Sequence, residues 1–181
     1  EFGLFVIADG MGGLSFGEVA SSSVIFELKL WWDTVLIHFL KNNKFNLMDI
    51  SLSLDKEIEK INNKVVLYGI KHGKKLGSTL SLLFIYKDHY IIKHIGDSRI
   101  YLIKDKLYLL TEDHSWVAEQ LSKGTMSLKE AETHKNRNAL TRCIGIDGRI
   151  SIYEKIDSFA KDESFLLCSD GLYKPLGEDF I

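Results

Sequence analysis

The chain has 181 residues, of which 45% are hydrophobic, 11% aromatic and 27% charged, with 14 Gly, 1 Pro and 2 Cys. Hydrophobicity at this level excludes a disordered chain, and the length suits a single domain able to bury roughly 70% of its unfolded surface. A net charge of -2 offers no general attraction to nucleic acid or to an anionic membrane.

Leu4-Phe5-Val6-Ile7-Ala8 is a short apolar, β-rich run that ends at Asp9-Gly10 and predicts a buried strand. It follows Glu1 almost directly, with no initiator Met, basic n-region or cleavage site, as expected of a fragment without an export signal. From Glu18 the period changes. Val24, Leu28, Trp31, Val35 and Phe39 mark one helical face, which makes Trp31 and Trp32 mid-helix packing residues. Val35 to Leu40 is the greasiest stretch and falls far short of the ~20 residues that span a bilayer. Leu54, Ile58, Ile61, Val65 and Tyr68 mark a second helical face, with Gly69 as its expected stop.

The period then becomes that of strands. Thr79–Tyr86, Tyr90–Ile95, Arg99–Ile103 and Leu107–Leu110 are β-branched and aromatic runs. Lys87-Asp88-His89, Gly96-Asp97-Ser98 and Lys104-Asp105-Lys106 separate them and are short enough for antiparallel hairpins. Trp116–Lys123 reads as helix, and Ser127-Leu128-Lys129-Glu130 is a capping box opening another. Ser151–Ile156 and Phe165–Ser169 close the sequence as strands. This order predicts a mixed-sheet protein with helices packed outside, and no linker or repeat divides it. Cys143 and Cys168 can build no disulfide framework and lack zinc-ligand spacing, which fits a reducing cytoplasm.

Three strand ends carry a carboxylate. Asp9 and Asp170 each precede a Gly, and Asp97 follows Gly96. Each Asp-Gly alone can be a simple turn. Three together, with Gly10, Gly12 and Gly13 crowding the first, equally suit a metal site. Mg²⁺ and Mn²⁺ prefer a few such oxygens with water completing the shell, whereas clustered carboxylates without a cation repel and raise one another's pKa.

Six blocks in order make the pattern specific. Val6-Ile7-Ala8-Asp9-Gly10-Met11-Gly12-Gly13 with Gly17-Glu18-Val19-Ala20-Ser21 comes first, then Gly77-Ser78-Thr79-Leu80 and His94-Ile95-Gly96-Asp97-Ser98-Arg99-Ile100-Tyr101. Leu110 to Ser115, Asn138 to Arg142 with Gly145, and Leu166 to Leu172 follow. The whole resembles the PPM family, the type 2C metal-dependent serine/threonine phosphatases, in its bacterial form.

The resemblance implies an α+β fold: a β-sandwich of two antiparallel sheets flanked by α-helices, a four-layer αββα arrangement, with 1–181 as one partial catalytic domain short at both ends. It implies that Asp9 bridges two Mg²⁺ or Mn²⁺ ions, that the Gly10 carbonyl binds one and that Asp170 binds the other. Asp97 with Asp170 matches a third, weaker site. The segment from about His114 to Leu140 resembles the flap beside the cleft. The implied reaction is hydrolysis of phosphoserine or phosphothreonine in proteins by a metal-activated water, without a phosphoenzyme, opposing a Ser/Thr kinase in signalling.

The match has gaps. The family places a phosphate-gripping Arg upstream of the first Asp-Gly strand, and no Arg precedes Asp9. A further metal-binding Asp lies near the family's C-terminus, whereas this sequence stops at Ile181, soon after Leu176-Gly177-Glu178-Asp179, where a helix is expected. Met11 stands where some animal members have a His proposed as general acid, so the proton donor stays unassigned. Turnover by these 181 residues alone is therefore not implied, and a non-catalytic phosphoprotein-binding regulatory module of the same fold is the alternative.

Other patterns carry less. Gly13-Leu14-Ser15-Phe16-Gly17 matches G-x-S-x-G, but its strand ends at Ala8 and Asp9 to Gly13 intervene, unlike a nucleophile elbow. Gly69-Ile70-Lys71-His72-Gly73-Lys74-Lys75 lacks a spacer and the Ser or Thr of a phosphate loop, and reads as a solvated basic loop. His114 and His134 form no metal motif and are expected in hydrogen-bonded or surface roles.

Overall fold

A computed structural model describes residues 2–11, 16–41 and 45–176. The apolar run near the start forms β1 (Phe2–Ile7), and the short β2 (Gly10–Met11) pairs with β3 (Gly77–Ser78), which follows the helices. The long strands β4 (Leu80–Tyr86) and β5 (His89–Ile95) follow, then β6 (Arg99–Ile103), β7 (Leu107–Leu109), β8 (Tyr153–Ser158) and β9 (Ser164–Cys168). One sheet runs β1-β4-β5-β8 and the other β7-β6-β9, and every pairing is antiparallel.

Side-chain alternation builds the layers. On β4 and β5, Leu80, Leu82, Phe84, Ile91 and Ile95 face the helices, while Leu83, Tyr90 and Ile92 face the second sheet. There they meet Ile100 and Leu102 of β6 in the core between the sheets. Helices α1 (Phe16–Trp31) and α3 (Leu47–His72) cover the first sheet through Ala20, Val24, Leu28 and Trp31, and through Ile50, Leu54, Ile58, Ile61 and Val65. Each Val, Leu or Ile so buried contributes about 1.5–3 kcal/mol. On the far side, α6 (Asp170–Leu176) packs Tyr173 against Tyr101 and Cys168. The result is helices, sheet, sheet, helix, the expected α+β sandwich. Cys143 and Cys168 are both free thiols, and no described helix is long and apolar enough to cross a membrane.

The structure corrects several local expectations. The first helical face does not run evenly to Phe39. Trp32–Leu36 is a π-helical turn before α2 (Ile37–Lys41), and the extra residue per turn brings Leu36 fully into the core while Val35 packs at its edge. Gly69 does not stop α3. A Cβ there would meet the Lys74 carbonyl oxygen at 2.7 Å, so the glycine admits the returning chain, while Gly73 at φ 62° supplies the left-handed cap. The first residues of the supposed basic loop are therefore helical.

Gly96-Asp97-Ser98 is not a hairpin turn. It carries the chain from the first sheet to the second, because β5 pairs with β4 and β8 while β6 pairs with β7 and β9. Asp170-Gly171 is likewise no turn but the opening of α6. The last two strands sit close to expectation, with β8 displaced by two residues. Ser127 and Glu130 form the expected capping box on α5 (Leu128–Thr133), which follows α4 (Trp116–Ser122). Ser15, Gly12 and Gly13, like Glu178 and Asp179, lie outside the described residues.

Candidate metal and phosphate site

Thr79 organises the first strand end. Its Oγ1 accepts the Asp9 N–H at 2.9 Å, its own N–H donates to the Asp9 carbonyl at 2.9 Å, and Oγ1 also contacts Ser98 Oγ at 2.9 Å. The backbone of Asp9 is thus tied to the crossing between the sheets. Gly10 packs equally closely, since a Cβ there would lie 2.2 Å from the Gly17 carbonyl oxygen at the start of α1. Gly96 takes φ 109° and lies against Thr79, where a Cβ would meet Cγ2 at 2.6 Å. These two glycines permit close approach of the first strand end to α1 and of the inter-sheet crossing to Thr79.

Asp97 and Asp170 meet at a residue that the sequence pattern did not single out. Lys174 lies one helical turn after Asp170 on α6, and its Nζ donates to Asp170 Oδ2 at 2.8 Å and to Asp97 Oδ2 at 3.2 Å. The neighbouring Tyr173 donates its hydroxyl to the Asp97 carbonyl at 2.9 Å. Two successive residues of α6 thereby hold the crossing segment. The signal for Lys174 was the i, i+4 spacing from Asp170, but spacing alone could not reveal Asp97 on its other side.

The carboxylates feel one another. Burial raises the Asp9 pKa above its ordinary value and nearby Asp170 raises it further, against the lowering effects of the Gly10 N–H and Lys174. Burial also raises that of Asp97, with Lys174 pulling in the opposite direction. Burial opposes the Lys174 charge, yet the hydrogen bond to Asp170 and the attraction of Asp97 outweigh it, and its pKa is raised.

Among the described residues, no three Asp, Glu, His or Cys side chains are gathered to cage an ion by themselves. The donor chemistry at Asp9, the Gly10 carbonyl and Asp170 nevertheless fits a hard divalent cation, as two mutually repelling carboxylates and a carbonyl at the ends of rigid elements. Lys174 engages Asp97 and Asp170 alike through Oδ2, and Asp97 is the more buried of the two carboxylates.

A wall of paired charges adjoins this cluster. Arg99 forms a bidentate pair with Asp113, at 3.0 Å from Nε and 2.8 Å from Nη2, and its guanidinium carbon stands 3.8 Å from the centre of the Tyr173 ring. A cavity of about 470 Å³ opens here, with Asp97, Arg99 and Lys174 on one side and Val117, Leu121 and Arg137 of the α4–α5 segment on the other. His114, at the start of that segment, is buried; its Nδ1 accepts the Gly96 N–H at 3.1 Å, so it has the hydrogen-bonded role expected of it. His134 stacks on Trp116 at a ring separation of 4.4 Å.

The chain has counterparts among known proteins. The family model described as Protein phosphatase 2C matches residues 2–180. The chain is 35% identical over 173 residues to the serine/threonine phosphatase stp of Listeria welshimeri, a match covering 93% of this chain and 66% of that protein. Among solved structures, serine/threonine phosphatase Stp1 from Staphylococcus aureus aligns with a TM-score of 0.84 at 31% identity, over 97% of this chain and 67% of that one. The catalytic domain of the serine threonine protein phosphatase PstP, in complex with 2 manganese ions, aligns with a TM-score of 0.79 at 27% identity, over 97% and 70%. The chain thus spans about two thirds of the length of the curated relatives it matches.

Proposed function

The chain belongs to the protein phosphatase 2C family, and from that premise we propose that it forms part of a metal-dependent enzyme that hydrolyses phosphoserine and phosphothreonine in proteins. On this reading 1–181 belongs to a single catalytic domain acting in the cytoplasm against a Ser/Thr kinase. Asp9, the Gly10 carbonyl and Asp170 would hold Mg²⁺ or Mn²⁺. The observation that carries the reading is the convergence of Asp9 and Asp170, far apart in sequence, into one electrostatic cluster.

Bound divalent cations supply an acidified water and neutralise charge on the phosphoryl oxygens. The chain's own residues do the positioning. Thr79 and the close Gly10–Gly17 contact hold Asp9 so that its carboxylate needs little reorganisation. Asp170 is the first residue of α6, which is tied to the crossing segment by the Tyr173 bond to the Asp97 carbonyl. The α4–α5 segment walls off one side of the cavity and limits the approach of a phosphorylated segment.

The test is hydrolysis of a phosphothreonine peptide by the full-length protein, with and without Mn²⁺, beside Asp170→Asn. Mn²⁺-dependent turnover that falls at least a hundredfold in the variant supports the reading. Turnover that ignores the metal overturns it, and peptide binding without turnover assigns the protein instead to the non-catalytic regulatory alternative.

A further inference from the structure

We propose that Lys174 is a built-in cation for the Asp97–Asp170 pair, taking the place of a metal ion there and confining divalent cations to the Asp9, Gly10 and Asp170 side of the cluster. This rests on the metal-dependent reading above and departs from the third-ion role that family resemblance assigns to Asp97.

The geometry is that of a two-sided clamp. Asp170 and Lys174 share one face of α6, one turn apart, so their 2.8 Å contact needs no rearrangement. Asp97 is reached across 77 positions of sequence at 3.2 Å, where its side chain is only 12% exposed. The Tyr173 hydroxyl holds the Asp97 backbone at 2.9 Å, so the carboxylate is presented to the ammonium by the residue next to Lys174. Without a cation, two carboxylates this close would oppose each other's ionisation.

A divalent ion entering between Asp97 and Asp170 must displace a tethered ammonium and break its two charge-assisted hydrogen bonds. Lys174 contacts each carboxylate through Oδ2 alone, and it is Asp170 that also feels Asp9, so its second oxygen is the one placed for an ion shared with Asp9. Three carboxylates and one ammonium, when ionised, leave negative charge to be balanced, which is why Lys174 is compatible with metal beside Asp9.

The experiment counts Mn²⁺ ions bound per chain, by the loss of the free Mn²⁺ spin-resonance signal, in full-length wild type, Asp97→Asn, Lys174→Met, Lys174→Gln and Lys174→Met combined with Asp97→Asn. Circular dichroism confirms that each is folded, and the two Lys174 variants and Asp97→Asn serve as independent arms. We expect Asp97→Asn to bind as many ions as wild type. Either Lys174 variant should gain one further ion, held at least tenfold more weakly, and the double variant should lose that gain. A lost ion in Asp97→Asn alone, or no gain in either Lys174 variant, overturns the proposal. A wild type that binds no Mn²⁺ overturns the metal-dependent reading instead, and the Asp97-dependent gain in the Lys174 variants is still read separately.

Discussion

Thr79 grips Asp9 through both halves of its backbone, accepting its N–H at 2.9 Å and donating to its carbonyl at 2.9 Å. The side chain that makes the first of these bonds also touches Ser98 Oγ, so one hydroxyl joins the first strand end to the crossing between the sheets.

Thr79→Val keeps the shape and removes that hydroxyl, leaving the Asp9 N–H without its partner at a cost of about 1–3 kcal/mol. Equilibrium urea denaturation should show this loss. Phosphopeptide turnover by the full-length protein should fall more than tenfold at saturating substrate, because Asp9 is less firmly held. Thr79→Ser restores the hydroxyl and should recover most of both. Equal activity in Val and Ser variants would rule out the positioning role.

Arg99 and Asp113 are both largely buried, with side chains 11% and 15% exposed, so removing one strands the other. Arg99→Ala should destabilise the protein by roughly 3–5 kcal/mol, the usual consequence of an uncompensated buried charge. Arg99→Lys retains the charge but loses the fork on Asp113 and the stacking on Tyr173, so it should fall between wild type and Ala. Thermal unfolding of the three proteins gives the order directly.

Lys93 is a cation on the helix-facing side of β5, 1% exposed, paired with Asp55 at 2.5 Å and with Glu154, which also accepts from Ser51. Lys93→Met fits the space but abandons both acids, which are about a third exposed and partly regain water, so a loss of about 1–3 kcal/mol is expected at neutral pH. The triple replacement of Lys93, Asp55 and Glu154 by apolar residues should recover part of it. A wild-type melting temperature for Lys93→Met would show that the pair contributes nothing.

His94 lies in the core between the sheet ends, with Nδ1 at 2.9 Å from Ser81 Oγ and Nε2 at 3.0 Å from the Glu112 carbonyl. Burial pushes its pKa down from 6.5 to about 4, against the upward pull of Glu112, and burial with His94 and Arg142 pushes His114 down to about 3. A lowered folded pKa means that the unfolded chain binds more protons between the two values. The stability from His94 is therefore fully present above about pH 6.5 and is lost as the pH falls towards 4, by an amount on the order of 3 kcal/mol. Asp9 and Asp97, raised rather than lowered, act in the opposite sense, with their share lost as pH rises through their folded values. Urea midpoints of wild type and His94→Gln between pH 7 and pH 4 isolate the histidine share, and a gap between the two proteins that does not narrow on acidification contradicts it.

How far the residues alone could be read differs from element to element. The 3.6 period of Ile58, Ile61 and Val65 and the alternation through β4 and β5 are local signals, and helix and strands formed where they indicate. The π turn at Trp32–Leu36 was illegible, because the same residues satisfy an even helical count to Phe39 and only core packing selects Leu36. Gly69 misled for a related reason: a glycine that admits a neighbouring strand of backbone looks the same in sequence as one that caps a helix.

At the site, Asp9, Asp97 and Asp170 stood out because each follows an apolar run beside a glycine, and local chemistry alone sufficed to pick them. Neither Lys174 nor the double role of Thr79 could be found that way, since their partners lie 77 and 70 positions distant. The composition and charge with which the chain was first read determined a folded, near-neutral domain with acids at strand ends. Only the tertiary structure decided that Gly96–Ser98 crosses between sheets rather than turning within one, and that an ammonium stands between two of those acids. Periodicity is encoded along the chain, whereas pairing between sheets and between charges depends on distances that exist only after the layers have packed.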